Sequence, residues 1–442
     1  MKIIENSHDV HKNYKLHEYL LYEVIVFMAV ISAFSALLLI FVGGYFTFAF
    51  GGFYFRHPIK TLKMMPLESG VKEMLLSLGG TVGVGNISGV AVAILLGGSG
   101  AVFWMWVGAL FAMALKYAEI TLGMLERRGA AHYIKKALGT LASVLFSVLL
   151  IADCIMMGGM IQSNAISEAM YAAFDIAPVY SGIFVSVAAA VVFFFGVNLF
   201  SLSMYIVPLM SAGYVIMSLA VILYFASDVG YVINDIFSSA FDISAVGGGV
   251  LGLFFTPALR QGVVKGLFSN EAGCGTAPSA HAASNEKVPA RQGLFGIFEV
   301  FIDTVVMCTL TAFVILLTSS AEEGNGGVAV CINAFSSVFG SLAPPLIAVF
   351  VFLFAFSAIV SFGYYGMSSM SQKKYKNLFL IFYCFSLASG AVVSPVSIWG
   401  FADTVISLML IINTTAVFCM RKSVICVHRQ LLPHRKKVAK GR

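Results

Sequence analysis

Apolar runs of about 20 residues or more recur along the whole 442-residue chain, separated by short polar stretches. About 20 apolar residues are what a helix needs to cross a bilayer. By that measure the pattern predicts eleven membrane spans, at roughly 22–52, 72–97, 100–125, 141–172, 178–200, 203–226, 245–285, 291–319, 343–368, 377–394 and 396–420. Two of these runs are interrupted. Residues 79–89 read GGTVGVGNISG, with five glycines in eleven positions. Each glycine costs a helix interior about 1 kcal/mol relative to alanine. Inside a bilayer, broken backbone persists only where it is buried in protein or lines a cavity. The second interruption is FSNEAGCGTAP, at 268–278. Two broken helices in corresponding places of two halves point to the substrate site of a secondary transporter.

The layout predicts an all-α membrane protein. An N-terminal tail (1–21) precedes a leading helix and its loop (22–65). A first five-helix repeat follows at 66–226, and a second, with its preceding loop, at 227–420. The basic tail is 421–442. Each repeat opens on a discontinuous helix, and an odd number of spans per repeat makes the two antiparallel. That inverted plan places the site near the midplane, where the broken helices meet. The loops at 227–244 and 320–342 are too short to fold alone.

Composition agrees with the hydropathy. Hydrophobic residues make up 59% and charged residues 11% of the chain, against about 25% charged in soluble domains; mean hydropathy is +0.92. Lys and Arg set the orientation. They cluster at Arg56/Lys60/Lys63, Arg127/Arg128/Lys135/Lys136, Lys287/Arg291, Lys373/Lys374/Lys376 and from Arg421 onward. These are alternate loops, so all fall in the cytoplasm with the C-terminus, in a multi-pass protein of the cell (inner) membrane. The opposite loops carry Asp228, Asp235 and Asp242, then Glu322 and Glu323. Eleven spans place the N-terminal tail outside, where Glu5, Asp9 and Glu18 offset Lys2, Lys12 and Lys15. The net charge of +6 is therefore a topology signal that asks for a lipid bilayer and no nucleic acid. The first 20 residues contain no apolar core of a signal peptide. Seven scattered cysteines without CxxC or metal spacing predict neither disulfide nor metal site.

The breaks supply the chemistry. Unwinding frees backbone donors and acceptors, and the half-helix that follows presents a positive N-terminus suited to a carboxylate. Gly83 and Gly85 allow close approach of a ligand, while Thr81 and Asn86 add a hydroxyl and an amide. The alternative is a glycine-lined helix crossing. In the second break, Ser269, Asn270, Glu271, Ala272 and Gly273 are the candidate contacts. A carboxylate at this depth is costly. Glu271 either caps the following half-helix or meets the substrate ammonium, a cation or a proton. Asn164 points to a packing role, and Asp153 to another helix or a water pocket. Lys116 and Glu119, i and i+3, read as a local pair or as snorkelling side chains near a helix end. Glu299 and Asp303 read as a polar network behind the second break, and Trp104 and Trp106 as packing or interface residues.

Several segments occur together in a fixed order: GGTVGVGNISGVAVAILLGG (79–98), GAVFWMWVGALFAMALKYAE (100–119), MIQSNAIS (160–167), GLFSNEAGCGTAPSAHAA (266–283), RQGLFGIFEVFIDTVVMCT (291–309) and FAFSAIVSFGYYG (354–366). Together they resemble the signature of the alanine/glycine:cation symporter family. The resemblance implies a LeuT-like inverted-repeat fold with one extra leading helix. It implies uptake of a small neutral amino acid, alanine or glycine, with sodium or a proton as coupling ion and no other cofactor. It also implies that Gln162 contacts the substrate. A sodium position follows from it as well, between Ser357 and the unwound carbonyls of the first break, at Gly80 and Val84. The chain departs from the family pattern at Ser99, in the shortened segment 129–133, at Cys274, at Met367 and at Ala358. Ala358 removes one of two adjacent hydroxyls expected at the sodium position. A proton-coupled symporter, a channel and a substrate sensor on the same scaffold are the competing readings. Motifs of intramembrane enzymes are missing from the sequence, so no enzyme is expected.

Overall fold

A computed structural model of the chain describes residues 28, 30–242, 256–322 and 327–431. The expectations for the tail 1–21, for 245–255 of the seventh span, for Glu323 and for the tail beyond 431 lie outside the described residues. The chain is helical throughout the described part. The helices are α1 Val30–Ala49, α2 Val71–Thr81, α3 Ser88–Gly97, α4 Gly100–Glu126, α5 Ala130–Leu138, α6 Thr140–Phe174, α7 Pro178–Phe194, α8 Leu199–Tyr224 and α9 Val229–Ser239, with two short helical turns, Phe53–Arg56 and Pro58–Lys63, between α1 and α2. Then come α10 Pro257–Asn270, α11 Ala277–His281, α12 Pro289–Leu317, α13 Gly327–Phe339, α14 Ala343–Ser368, α15 Lys373–Gly390, α16 Pro395–Cys419 and α17 Arg421–Arg429.

Each of the eleven predicted spans coincides with a helix or a helix pair. Among the described residues, seven helices are long and apolar enough to cross a membrane, or eight if the bent pair α2–α3 is one span. The other three fall short for visible reasons. Helix α7 has 17 residues, α15 opens on Lys373, Lys374 and Lys376, and α10–α11 is split by the second break. The sequence reading missed structure in the two longer loops. Each contains a helix, α9 and α13, that buries a short apolar stripe such as Val232 and Ile236.

The breaks form as the glycines dictate. Helix α2 stops at Thr81, a single tight turn covers Val84–Asn86, and α3 leaves at 54° to α2. Helix α10 starts on a Thr256 hydroxyl that accepts the Leu259 N–H, with Pro257 in the first turn. It ends where Glu271, Gly273 and Gly275 all take positive φ, at 51°, 82° and 79°. For glycine this is free. For Glu271 it costs about 1 kcal/mol, which surrounding bonds must offset.

Helix α4 is the spine. Helices α10 and α12 lie on it through glycines, as small residues permit in membranes. A Cβ on Gly262 would meet the Ala101 carbonyl oxygen at 2.3 Å, and one on Gly296 the Lys116 backbone at 3.0 Å. One turn along, Gly266 faces Met105 at an ordinary 3.5 Å. Gly262→Ala should therefore cost about 1–3 kcal/mol by overpacking against backbone that cannot move aside. Gly266→Ala should be neutral or up to about 1 kcal/mol stabilising. Thermal melting of the purified protein in detergent separates the two, and equal midpoints would refute the crossing.

Candidate functional site

Asn86 joins the two breaks. It is fully buried, and its side-chain oxygen accepts the Gly83 N–H at 3.0 Å. Its amide nitrogen faces the Asp303 carboxylate at 2.8 Å, the Asp303 carbonyl at 3.0 Å and the Ser269 hydroxyl at 2.9 Å. Ser269 in turn donates to Asp303 at 2.7 Å, and Thr304 donates to the same oxygen at 2.9 Å. One carboxylate on α12 thus holds both broken helices. The Cys308 sulfur lies 3.4 Å from the Asn86 amide and 3.3 Å from the Ser269 hydroxyl. Sequence reading placed Asp303 behind the second break and gave Cys308 no role. Only Asp303, four residues after Glu299, shares its face by helical count; Cys308 is brought round by the π-helical stretch between them, which the sequence does not show. Around Asp303 the helix widens into a π-helical stretch, Phe301–Cys308, of the kind common at functional sites.

Gln162 also reaches the first break, where its side-chain oxygen accepts the Val84 N–H at 3.3 Å. A Cβ at 83 would sit tightly, 3.3 Å from Ala358 and 3.4 Å from Gln162. One at 85 would lie 3.3 Å from the Phe268 ring and from the Ser269 backbone. Gly85 therefore serves the contact between breaks. The free amides expected at 83 and 84 already have side-chain acceptors, in Asn86 and Gln162. Thr81 turns its hydroxyl back to the Leu78 carbonyl. A cavity of about 730 Å³ opens onto Val84 and Ser88, and the Lys265–Asp403 ion pair (2.8 Å) stands in its wall.

The polar groups of the second break are largely occupied by the break itself. Asn270 accepts the Ala272 N–H at 3.0 Å and donates to Thr304 at 3.0 Å. Gly273 faces Leu115, Leu410 and Thr414, and its carbonyl accepts from Asn413 at 2.8 Å. Asn270, Ala272 and Gly273 thus hold the backbone path of the second break. Glu271 accepts the Thr276 hydroxyl at 2.6 Å on one carboxylate oxygen, and its other oxygen is buried without a partner among the described residues.

Lys116 and Glu119 overturn their local reading. Both are fully buried and neither pairs with the other. The Lys116 ammonium donates to the Asn270 carbonyl at 2.7 Å and lies 3.2 Å from Glu299. Glu299 also accepts from Ser77 at 2.9 Å and from His281 Nε2 at 2.7 Å. The Gln292 amide faces His281 Nδ1 at 2.8 Å, which places the imidazole proton on Nε2. Glu119 accepts the Gly275 N–H at 3.1 Å and the Asn413 amide at 2.8 Å. The i,i+3 spacing missed this because the partners lie more than 150 residues away. Glu299 does form the network expected behind the second break. Asn164 packs as expected, donating to the Gly390 and Val393 carbonyls. Trp104 and Trp106 donate to Ala240 and Thr309.

On the ion side, the Ser357 hydroxyl is buried and has no hydrogen-bond partner among the described residues. It lies so close to α2 that a Cβ on Gly79 would be 2.4 Å from it. Ser361, one turn on, donates to the Leu76 carbonyl at 2.7 Å and fastens α14 to α2. The Val84 carbonyl accepts the Ile87 N–H at 3.1 Å. Gly80 faces Ser361 and the Tyr365 hydroxyl.

Comparison with known proteins places this arrangement. The model of the sodium:alanine symporter family matches residues 19–441. The amino-acid carrier protein AlsT of Bacillus subtilis is 34% identical over 421 residues, covering 90% of this chain and 89% of the relative. The sodium/alanine symporter AgcS of Methanococcus maripaludis is 32% identical over 396 residues, covering 84% and 85%. Among solved structures, MhsT in complex with L-phenylalanine superposes with a TM-score of 0.62 at 14% identity, covering 83% of this chain and 92% of that one.

The buried ion pair yields a stability test. Lys116→Met leaves Glu299 uncompensated in the interior and should cost about 3–5 kcal/mol. Lys116→Met with Glu299→Met removes both charges and should recover the part of that loss due to the unpaired carboxylate, while the Asn270 carbonyl, Ser77 and His281 still lack their partners. Thermal unfolding of the three proteins checks this. A double variant as unstable as the sum of the singles would show that the pair does not act as a unit.

Proposed function

The chain belongs to the sodium:alanine symporter family, and we propose that it carries a small neutral amino acid, alanine or glycine, inward with sodium. It is a multi-pass membrane protein of LeuT-like fold that performs cation-coupled amino-acid symport. The observation that supports the finer reading is the junction of Gly83–Asn86, Gln162 and Ser269. There, backbone donors at the head of α3 face small walls, Gly83 and Ala358. The Val84–Gln162 bond, at 3.3 Å, is at the long end for a hydrogen bond. A substrate carboxylate taking its place would gain the half-helix dipole of α3 as well. Thr81, Asn270, Glu271, Ala272 and Gly273 shape the path around that point. For sodium, a hard cation seeking oxygen, the unpartnered Ser357 hydroxyl is the supporting feature, with carbonyls near Gly80 and Val84 completing the set. Filling the two positions would draw α2, α14 and α10 together, which is the coupling a symporter requires. We place the C-terminus and the Lys/Arg loops in the cytoplasm of the cell membrane, so the cavity beside Val84 faces outward.

The test is uptake of labelled amino acids into proteoliposomes under imposed gradients. A sodium gradient should drive alanine accumulation that collapses with a sodium ionophore. Glycine and serine should compete, and leucine should not. Competition by leucine at concentrations near those for alanine would contradict the small site. Gly83→Val should abolish alanine binding in a protein that remains monodisperse.

The sodium position generates a separate expectation. Ala358→Ser restores a hydroxyl beside Ser357 with little bulk against Gly83. One added ligand of about 1 kcal/mol should lower the sodium concentration for half-maximal uptake about five-fold. Ser357→Ala should raise it. Uptake that ignores sodium in the wild type and both variants would remove sodium from the reading.

A further inference from the structure

A cleft of about 580 Å³ is walled by the α4–α5 junction, the first half of α6, α11 and the end of α14, and shares no residue with the cavity beside Val84. Its charged residues are Arg127, Arg128, His132 and Lys135, and no acidic side chain lines it. Arg127 is already occupied, because its guanidinium donates to the Ser284 and Glu286 carbonyls at 2.5 and 2.6 Å. His132 lies 3.5 Å from Glu126, which Lys136 also binds. Arg128 and Lys135 are left. Both are exposed at the cleft, and neither side chain has a hydrogen bond or ion pair among the described residues. Membrane topology asks only that such charges face the cytoplasm. It does not ask that they converge on one cleft.

The backbone in this wall adds donors. Helix α4 closes with Arg127 at a φ of 52° and with the Arg128 N–H on the Gly123 carbonyl at 3.2 Å, which turns the chain directly into α5. Helix α5 then starts after Gly129 with no side-chain cap and no acidic residue in its first turn. The Ala130 and Ala131 N–H groups, among the orphan donors of any helix start, have no acceptor among the described residues. Ser279 on α11 faces this start. It is 8% exposed, and its Oγ lies 3.2 Å from where a Cβ on Gly129 would stand. That hydroxyl has no hydrogen-bond partner among the described residues. Ser143, Ser368 and Ser369, also in the wall, donate to the Ala131, Tyr365 and Gly366 carbonyls. Ser279 therefore differs from them: it is a buried donor aimed at other donors, with no acceptor between.

We propose that this cleft binds a phosphate monoester, whose phosphoryl oxygens accept from the Ala130 and Ala131 amides, the Ser279 hydroxyl, Arg128 and Lys135. Two free cations and the positive end of α5 match the roughly two negative charges of a phosphate monoester at neutral pH. A carboxylate or a phosphodiester brings only one. The phosphoryl group fills a small part of the cleft, and the rest, beside Leu150, Tyr364 and Met370, receives the organic part. A soluble phosphate ester and the headgroup of phosphatidic acid share this chemistry. The amides come from segment 129–133, one of the places where the chain departs from the family pattern. An occupant would tie α5 to α11, the second half of the second broken helix, and to the end of α14. Its effect on uptake rests on the transport reading, but the binding does not.

Titration calorimetry of the full-length protein in neutral detergent tests the site, with glycerol 3-phosphate as the probe. The wild type should bind it at a single site. Arg128→Gln, Lys135→Gln and Ser279→Ala should each weaken binding about ten-fold, as loss of a hydrogen bond to a charged group does. Lys60→Gln removes an equal charge outside the wall and should change the Kd less than about two-fold, because such surface charges are screened. The same titration in phosphatidylcholine nanodiscs, with and without phosphatidic acid, separates the two sources. Loss of glycerol 3-phosphate binding when phosphatidic acid is present assigns the site to a lipid headgroup. Unchanged binding assigns it to a soluble ester, and either result supports the site. A wild type that does not bind the probe in detergent overturns the proposal. So does wild-type affinity in Arg128→Gln and Ser279→Ala, or a Lys60→Gln loss as large as that of Arg128→Gln. None of these readouts depends on transport.

Discussion

A lysine without water sets the terms for the rest of the structure. The Lys116 ammonium has no exposure, so every direction it faces must supply an acceptor. The Asn270 carbonyl exists as a free acceptor only because α10 ends there. Glu299 is fixed in turn by Ser77 on α2 and His281 on α11. Four elements around both broken helices are thereby referenced to one atom on α4. The glycines at 262, 293 and 296 bring α10 and α12 close enough for that reference to hold. Close packing and charge neutralisation are the same constraint seen twice. Without the glycines the lysine is unpaired, and without the lysine the cut end of α10 keeps an unsatisfied carbonyl.

Coupling between the two proposed ligand positions follows from shared backbone. Asn86 binds Gly83 in the first break and Ser269 and Asp303 beyond it. Ser357 and Ser361 meet the preceding helix, α2, on its other side. Any ligand that reorients Gly83–Asn86 changes the geometry at both. Linkage then makes the effect reciprocal: whatever the ion contributes to amino-acid affinity, the amino acid contributes to ion affinity. The contact is discrete, since hydrogen bonds to Asn86 either form or do not. A continuous deformation would dissipate the same energy without switching anything.

The spans and both breaks were legible from hydropathy and glycine placement, because those signals are local. The partners within the site were not. Lys116 and Glu119 look like a surface i,i+3 pair, and only the fold reveals Asn270, Glu299 and Asn413 as their true neighbours. Asp303 reads as half of an i,i+4 acidic pair, yet Glu299 and Asp303 serve different sides of the second break. Phase arguments fail for the same reason along α6. A π-helical stretch at Met156–Ile161 separates Asp153 from Gln162. It shifts the register, so a 3.6-residue count across it misjudges which face each occupies. Gly85 has a packing role that the sequence did not show. Its missing side chain makes room for Phe268, so the glycine serves the meeting of the two breaks.

Glu271 combines these threads. Glycine would adopt its left-handed conformation at no steric cost, as Gly273 and Gly275 do two and four residues later. A glutamate there stores about 1 kcal/mol of backbone strain. It also brings a buried carboxylate oxygen with no donor among the described residues. Two local penalties at one residue mean that its side chain does something a glycine cannot. The Thr276 bond alone does not meet that test, because an Asn side chain could accept it without burying a charge. What distinguishes a carboxylate is that its charge can be cancelled and restored by one small cation or proton. The strain matters to that exchange. A break already held above its relaxed energy needs less input to change its packing than a relaxed one.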